Sequence, residues 1–207
     1  TTPITVLGLT VQEVLQLNLI EKQFQESKQF FKTHQTKDIK FRKQQLKLLS
    51  KSIKDHETEL LESLKIDLGK GSVEAYATEI GILLKSIKTA RKELKNWAKT
   101  KQVDTPLFMF PSKSYIKPEP YGTILIIGPF NYPVQLLFEP LIGAIAAGNN
   151  AIIKPSELTP HVAQVVRKVI EDVFASDFVA VVEGGVEETQ TLINLPFDYI
   201  FFTGSEN

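Results

Sequence analysis

Gly122-Thr123-Ile124-Leu125-Ile126-Ile127-Gly128-Pro129 is the stretch whose reading decides the fold. From Ile124 to Ile127 the chain is apolar without a break, and from Thr123 onward it is rich in β-branched side chains. A strand with one wet face alternates apolar and polar residues; a continuous apolar run belongs to a strand covered on both faces, as in a parallel sheet. Gly128-Pro129 ends it. Reading onward, Pro133 opens a helical stretch to about residue 147, and Gly148 closes it. Ala151-Ile152-Ile153-Lys154 reads as a second strand, ended by Pro155. Thr159-Pro160 starts another helix through residue 174, with Pro suited to the first turn. Phe178-Val179-Ala180-Val181-Val182 and Asp198-Tyr199-Ile200-Phe201-Phe202 read as a third and a fourth strand. Strands alternating with helices predict β-α-β units with right-handed crossovers, hence an α/β, Rossmann-like, doubly wound parallel sheet.

Upstream the period changes. Leu46, Leu49, Ile53, Leu60 and Leu64, with His56 on the same stripe, are spaced for one helical face. After the Gly69-Lys70-Gly71 break a second helix is predicted, its stripe formed by Tyr76, Ile80, Leu83, Leu84, Ile87, Leu94, Trp97 and Ala98. Residues 11–31 read as an earlier amphipathic helix. Pro106, Pro111, Pro118 and Pro120 then break any helix. Leu107-Phe108-Met109-Phe110 and Ser114-Tyr115-Ile116 are expected to be short extended segments. The expected organisation is a helical region at 1–117, Pro-rich and extended near 104–117, followed by a Rossmann-like region at 118–207.

Charge divides at the same point. The 207 residues carry 24 basic and 24 acidic side chains, so no global basic field collects nucleic acid. Residues 1–117 hold 21 basic against 13 acidic side chains, a net of +8; residues 118–207 hold 3 against 11, a net of −8. Lys-rich helices with solvated faces explain this without a partner. At 43% apolar and 23% charged, the composition is that of a globular protein, not a disordered or fibrous one. The longest apolar stretch, residues 141–147, is far short of the ~18 residues of a membrane span. Without a basic leader-like start or an Asn-x-Ser/Thr acceptor, a cytoplasmic location is expected. There is no cysteine. That excludes disulfides, thiolate metal sites and a thiolate nucleophile supplied by these residues. His34, His56 and His161 show no ligand spacing, so no metal site is expected; His56 reads as a satisfied histidine at a helix interface.

In an open parallel sheet ligands bind beyond the carboxyl ends of the strands, so four loops matter. In Gly128-Pro129-Phe130-Asn131-Tyr132-Pro133, Asn131 reads either as turn and cap chemistry or as an amide donor aimed at developing charge on oxygen. In Lys154-Pro155-Ser156-Glu157, an ammonium and a carboxylate three residues apart could grip vicinal ribose hydroxyls, or could both be solvated. Glu183-Gly184-Gly185 reads as a left-handed turn or as backbone that lets a ligand come close. In Phe202-Thr203-Gly204-Ser205, a glycine after a strand could offer backbone N–H groups to a pyrophosphate, although the Gly-x-Gly-x-x-Gly fingerprint is absent.

In order and spacing these stretches, with Glu119-Pro120-Tyr121-Gly122, Gly143-Ala144-Ile145-Ala146-Ala147-Gly148-Asn149 and Asp67-Leu68-Gly69-Lys70, resemble the aldehyde dehydrogenase superfamily, closest to its class 3-like, fatty-aldehyde branch. The resemblance covers the chain from about residue 20 onward. It implies oxidation of an aldehyde to a carboxylic acid with NAD or NADP: a Cys thiolate adds to the aldehyde, hydride leaves to the nicotinamide, and a Glu-activated water hydrolyses the thioester. It further implies that Asn131 is the oxyanion donor and that Lys154 and Glu157 hold the adenosine ribose. Pro129 and Phe130 would line the channel, and Gly185, Gly204 and Ser205 would approach the cofactor. The nucleophile, the general base and the catalytic domain belong to the family's later part and have no counterpart in these residues. The chain is therefore expected to be the cofactor-binding, amino-terminal portion of such an enzyme, inactive alone and a homodimer at full length. A non-catalytic nucleotide-binding module and an interaction scaffold built on the basic helices are the alternatives.

Overall fold

The computed structural model describes the backbone of residues 5, 6 and 9–204 and the side chains of residues 15–204. A short antiparallel pair, β1 (Thr5–Val6) and β2 (Leu9–Thr10), precedes α1 (Val11–Lys32). The helical layer follows: α2 (Ile39–Asp55), α3 (Glu57–Leu68), α4 (Ser72–Ala75), a π turn (Tyr76–Ile80) and α5 (Gly81–Trp97). β3 (Lys101–Val103) and β4 (Ser114–Ile116) form an antiparallel pair. Then come β5 (Thr123–Ile127), α6 (Gln135–Ala147), β6 (Asn150–Lys154), α7 (Pro160–Glu171), β7 (Val179–Val181), α8 (Val186–Asn194) and β8 (Tyr199–Phe202). The last four strands make one parallel sheet in the order β7-β6-β5-β8.

The continuous apolar reading of β5 and β6 holds: every residue of both strands is buried. Their side chains alternate between two cores. Ile124, Ile126, Ala151, Ile153, Val179 and Val181 pack with α6 and α7, and beyond these with α2, α3 and α5. Leu125, Ile127, Ile152 and Ala180 face the other way, against Ile20 and Phe24 of α1 and Leu192 of α8. The helix at 11–31 thus seals the second face of the sheet. β8 is an edge strand whose four residues are exposed.

Several expected elements differ. The stripe from Leu46 to Leu64 is buried as read, but it belongs to two helices. His56, at φ −100 and ψ 12, closes α2 and opens α3. The second stripe is interrupted by the π turn, whose extra residue per turn rotates the face that follows. Ile80, Leu83, Ile87 and Leu94 are buried, whereas Tyr76 and Trp97 are 42% and 52% exposed. Residues 107–109 coil into a 3-10 turn, and only Ser114–Ile116 is extended as expected. The helix expected from Pro133 begins at Gln135 and tolerates Pro140 within it. Its end is fixed by Gly148 at φ +93, where an added Cβ would lie 2.7 Å from the Arg42 guanidinium.

The two helical layers are tied at His56. Its Nε2 lies 2.7 Å from Asp172 Oδ2 at the end of α7, and its Nδ1 3.0 Å from Glu59 Oε1. Two facing carboxylates favour the doubly protonated ring; the Asp172 bond foremost raises its pKa above the ordinary 6.5, with burial opposing. A raised folded-state value means the stabilisation is fully present below about 6.5 and is lost as pH rises through the folded value. The denaturant midpoint is expected to fall as pH rises above about 6.5 in the wild type, and His56→Gln to flatten that fall.

Candidate functional site

Because the four strands are parallel and in register, their carboxyl ends lie along one edge. Ile127 pairs with Lys154 on one side and with Phe202 on the other, and Ile153 pairs with Val181. The loops quoted above for Asn131, Lys154, Gly184 and Gly204 therefore all leave the sheet from the same edge. Cavities of about 670 Å³, between α1 and the turn at 175–177, and about 430 Å³, between α5 and α6, lie on other faces.

Gly128 begins the first loop, and its N–H continues the ladder to the Lys154 carbonyl at 3.0 Å. A Cβ at Gly128 would lie 2.9 Å from Leu137 Cδ1, so the glycine lets the turn sit close on α6. Phe130 and Asn131 are exposed and Pro129 half-buried. Asn131 stands four residues ahead of α6. Its Oδ1 accepts the Tyr132 N–H at 3.0 Å, the turn chemistry foreseen as one of its two readings. That bond occupies the amide oxygen and leaves the NH₂ end of the side chain as the donor.

At the second loop the structure joins Lys154 and Glu157 directly, Nζ to Oε2 at 2.7 Å. The Lys154 side chain is 3% exposed and that of Glu157 47%. The ammonium is thus held by a buried stem at the strand end, and the carboxylate faces outward. The Lys154 hydrogen bond holds the Glu157 carboxyl below its ordinary range, so it stays ionised at neutral pH.

At the third loop the backbone turns through a positive φ that favours glycine. Gly184 sits at φ +143, where a Cβ would lie 2.4 Å from the Glu188 side chain. Gly185 opens α8, and its N–H donates to Glu188 Oε2 at 2.7 Å, so that donor is already taken. The space beside Gly185 Cα is open, with nothing within 4 Å of an added Cβ. At the fourth loop, Gly204 is exposed, and a Cβ there would lie 2.4 Å from the Phe202 ring. Ser205 lies outside the described residues. Among the described residues no cluster of His, Asp and Glu could hold a metal ion.

Three residues that the sequence reading gave no role hold these loops. Asp67 is 4% exposed at its side chain; its Oδ2 accepts the Val162 N–H of α7 at 2.9 Å, and its Oδ1 lies 2.7 Å from His161 Nδ1. Glu79 is fully buried, and its Oε2 accepts the N–H groups of Val134 and Gln135 at 2.9 and 3.1 Å. α6 and α7 are thus capped by carboxylates from the helical layer, where a negative charge suits free N–H groups. Lys70 binds the other Glu79 oxygen and donates to the Asn131 carbonyl at 2.9 Å. The signal in the sequence was Asp67-Leu68-Gly69-Lys70, where Gly69 at φ +68 turns the chain out of α3.

An aldehyde dehydrogenase family profile matches residues 9–207. The 4,4'-diaponeurosporen-aldehyde dehydrogenase of Staphylococcus aureus is 71% identical over 191 residues, which are 92% of this chain and 42% of that protein. Aldehyde dehydrogenase family 3 member A2 of Macaca fascicularis is 39% identical over 186 residues, 90% of this chain and 38% of that protein. A solved structure of Staphylococcus aureus AldH, described as its substrate-bound state, superimposes with a TM-score of 0.90 at 72% identity, over 91% of this chain and 41% of that one. The chain thus spans about two fifths of the length of the relatives it matches. The Lys154–Glu157 contact has a direct readout: Lys154→Met is expected to return the Glu157 carboxyl toward its ordinary 4.5, followed by a carbon-detected NMR titration.

Proposed function

The chain belongs to the aldehyde dehydrogenase family, and from that premise we propose that residues 118–207 bind NAD or NADP for aldehyde oxidation, with residues 1–117 as their helical support. The observation that carries this is the Lys154–Glu157 pair on the aligned carboxyl edge, next to the loop of Asn131. The Lys154 ammonium donates to one ribose hydroxyl oxygen, and the ionised Glu157 accepts from a hydroxyl. Buried aliphatic atoms hold the Lys154 stem, so little side-chain entropy is lost on binding. The open space at Gly185 and the turn at Gly204 give backbone room for the phosphates, with Ser205 as their next donor. Bound at this edge, the dinucleotide supplies the acceptor for the two electrons of oxidation.

Asn131 acts on the substrate side. Its NH₂ group stabilises negative charge developing on the aldehyde oxygen, and Pro129 and Phe130 line the approach. With no cysteine among them, the 207 residues carry no thiolate to attack an aldehyde. They bind the cofactor without turning substrate over, in the cytoplasm, and at full length they act as part of a homodimer. The aldehyde named for the 71% identical relative, 4,4'-diaponeurosporen-aldehyde, is the first substrate to offer the full-length protein.

Calorimetric titration of the 207-residue chain with NAD, and separately with NADP, tests the binding. A dissociation constant weakened at least roughly tenfold by Lys154→Met is expected, as for loss of one charge-assisted hydrogen bond. Binding indifferent to Lys154→Met refutes the ribose assignment. Any NADH formed from aldehyde by these residues alone refutes the assignment of the chemistry elsewhere.

A further inference from the structure

An amide donor helps a transition state only if it is already aimed when charge develops. Asn131 is poorly placed for that by its own segment. It is exposed, it lies in a turn, and α6 begins only four residues later. Its side chain's bond to the Tyr132 N–H fixes the amide relative to the turn, but not the turn relative to the sheet.

The turn is held from the helical layer by two side chains. Lys70 Nζ donates to the Asn131 carbonyl oxygen at 2.9 Å and lies 3.9 Å from the Tyr132 ring centroid, within cation–π range. Glu79 Oε2 accepts the N–H groups of Val134 and Gln135, at the other end of the turn. The two side chains are joined to each other through Glu79 Oε1. Glu79 is fully buried and the Lys70 side chain only 11% exposed. An ammonium and two N–H groups on one buried carboxylate satisfy a charge that would otherwise be costly to desolvate. Glu79 sits within the five-residue π turn, a local irregularity in an otherwise α-helical run. An ordinary structural ion pair needs neither the carbonyl of Asn131 nor the ring that follows it.

We propose that Lys70 and Glu79 are positioning residues that bracket the turn and aim the Asn131 amide at the reacting oxygen. The inference rests on the reading of Asn131 as the oxyanion donor. Neither residue touches substrate; both act through the backbone, Lys70 at the Asn131 carbonyl and Glu79 at the N–H groups of Val134 and Gln135.

The test uses the full-length protein and four variants: Asn131→Ala, Lys70→Met, Lys70→Arg and the double variant Lys70→Met/Asn131→Ala. Asn131→Ala is expected to lower kcat by about 10²–10³. Lys70→Met is expected to lower kcat by roughly tenfold or more while the NAD dissociation constant and aldehyde KM stay within about threefold. Lys70→Arg, which keeps the charge and donors, is expected to recover most of it. The double variant is expected to be no slower than Asn131→Ala, because there is no donor left to aim. Should Lys70→Met fail to fold, Tyr132→Leu removes only the half-exposed ring contact and is expected to lower kcat in the same non-additive way. Unchanged kcat in Lys70→Met, or losses that simply add in the double variant, overturn the positioning role while the donor reading stands. Unchanged kcat in Asn131→Ala removes the donor reading itself, and this inference with it.

Discussion

Every residue of β5 and β6 is buried, and that constraint shapes the rest of the chain. A strand with two dry faces needs cover on both. α6 and α7 supply one layer, themselves covered by α2, α3 and α5; α1 and α8 supply the other. In-register parallel pairing then sends four strand ends to one edge, and their loops gather there. The site is a consequence of the sheet's covering before it is a consequence of any single side chain.

Charge at that edge is organised by carboxylates from the helical layer. Asp67 caps α7 and Glu79 caps α6, so these two helices start on an anion. This leaves Lys154 and Glu157 to pair with each other at the strand end. The overall balance of +8 against −8 resolves locally into such contacts: Lys28 with Asp198 and Lys37 with Glu119. The basic half therefore meets the acidic half within one chain.

Much of this was legible in the residues. The unbroken apolar runs 124–127 and 151–153 reported two-sided burial, and glycine and proline marked the strand ends. Helix boundaries were harder. His56 is compatible with the stripe it interrupts, so nothing in the spacing of Leu46 to Leu64 betrays the break. The π turn is invisible for the same reason: one inserted residue shifts a face by a fraction of a turn, and only the exposure of Tyr76 exposes the shift. Around the site, Lys154 and Glu157 were within reach because they are three residues apart. Glu79 was not, because its partners Val134 and Gln135 lie 55 and 56 positions away. Contacts that close over such separations are set by tertiary packing, which no local pattern encodes.

The Glu79 contact also bears on how the chain can be recombined. The change of composition near residue 117 invites treating the two stretches as cassettes to be swapped among relatives. A graft made there would separate the carboxylate from the helix start it serves and the ammonium from the turn it restrains. Swaps that carry residues 67–79 together with 128–135 would keep the lock and its key in one inheritance.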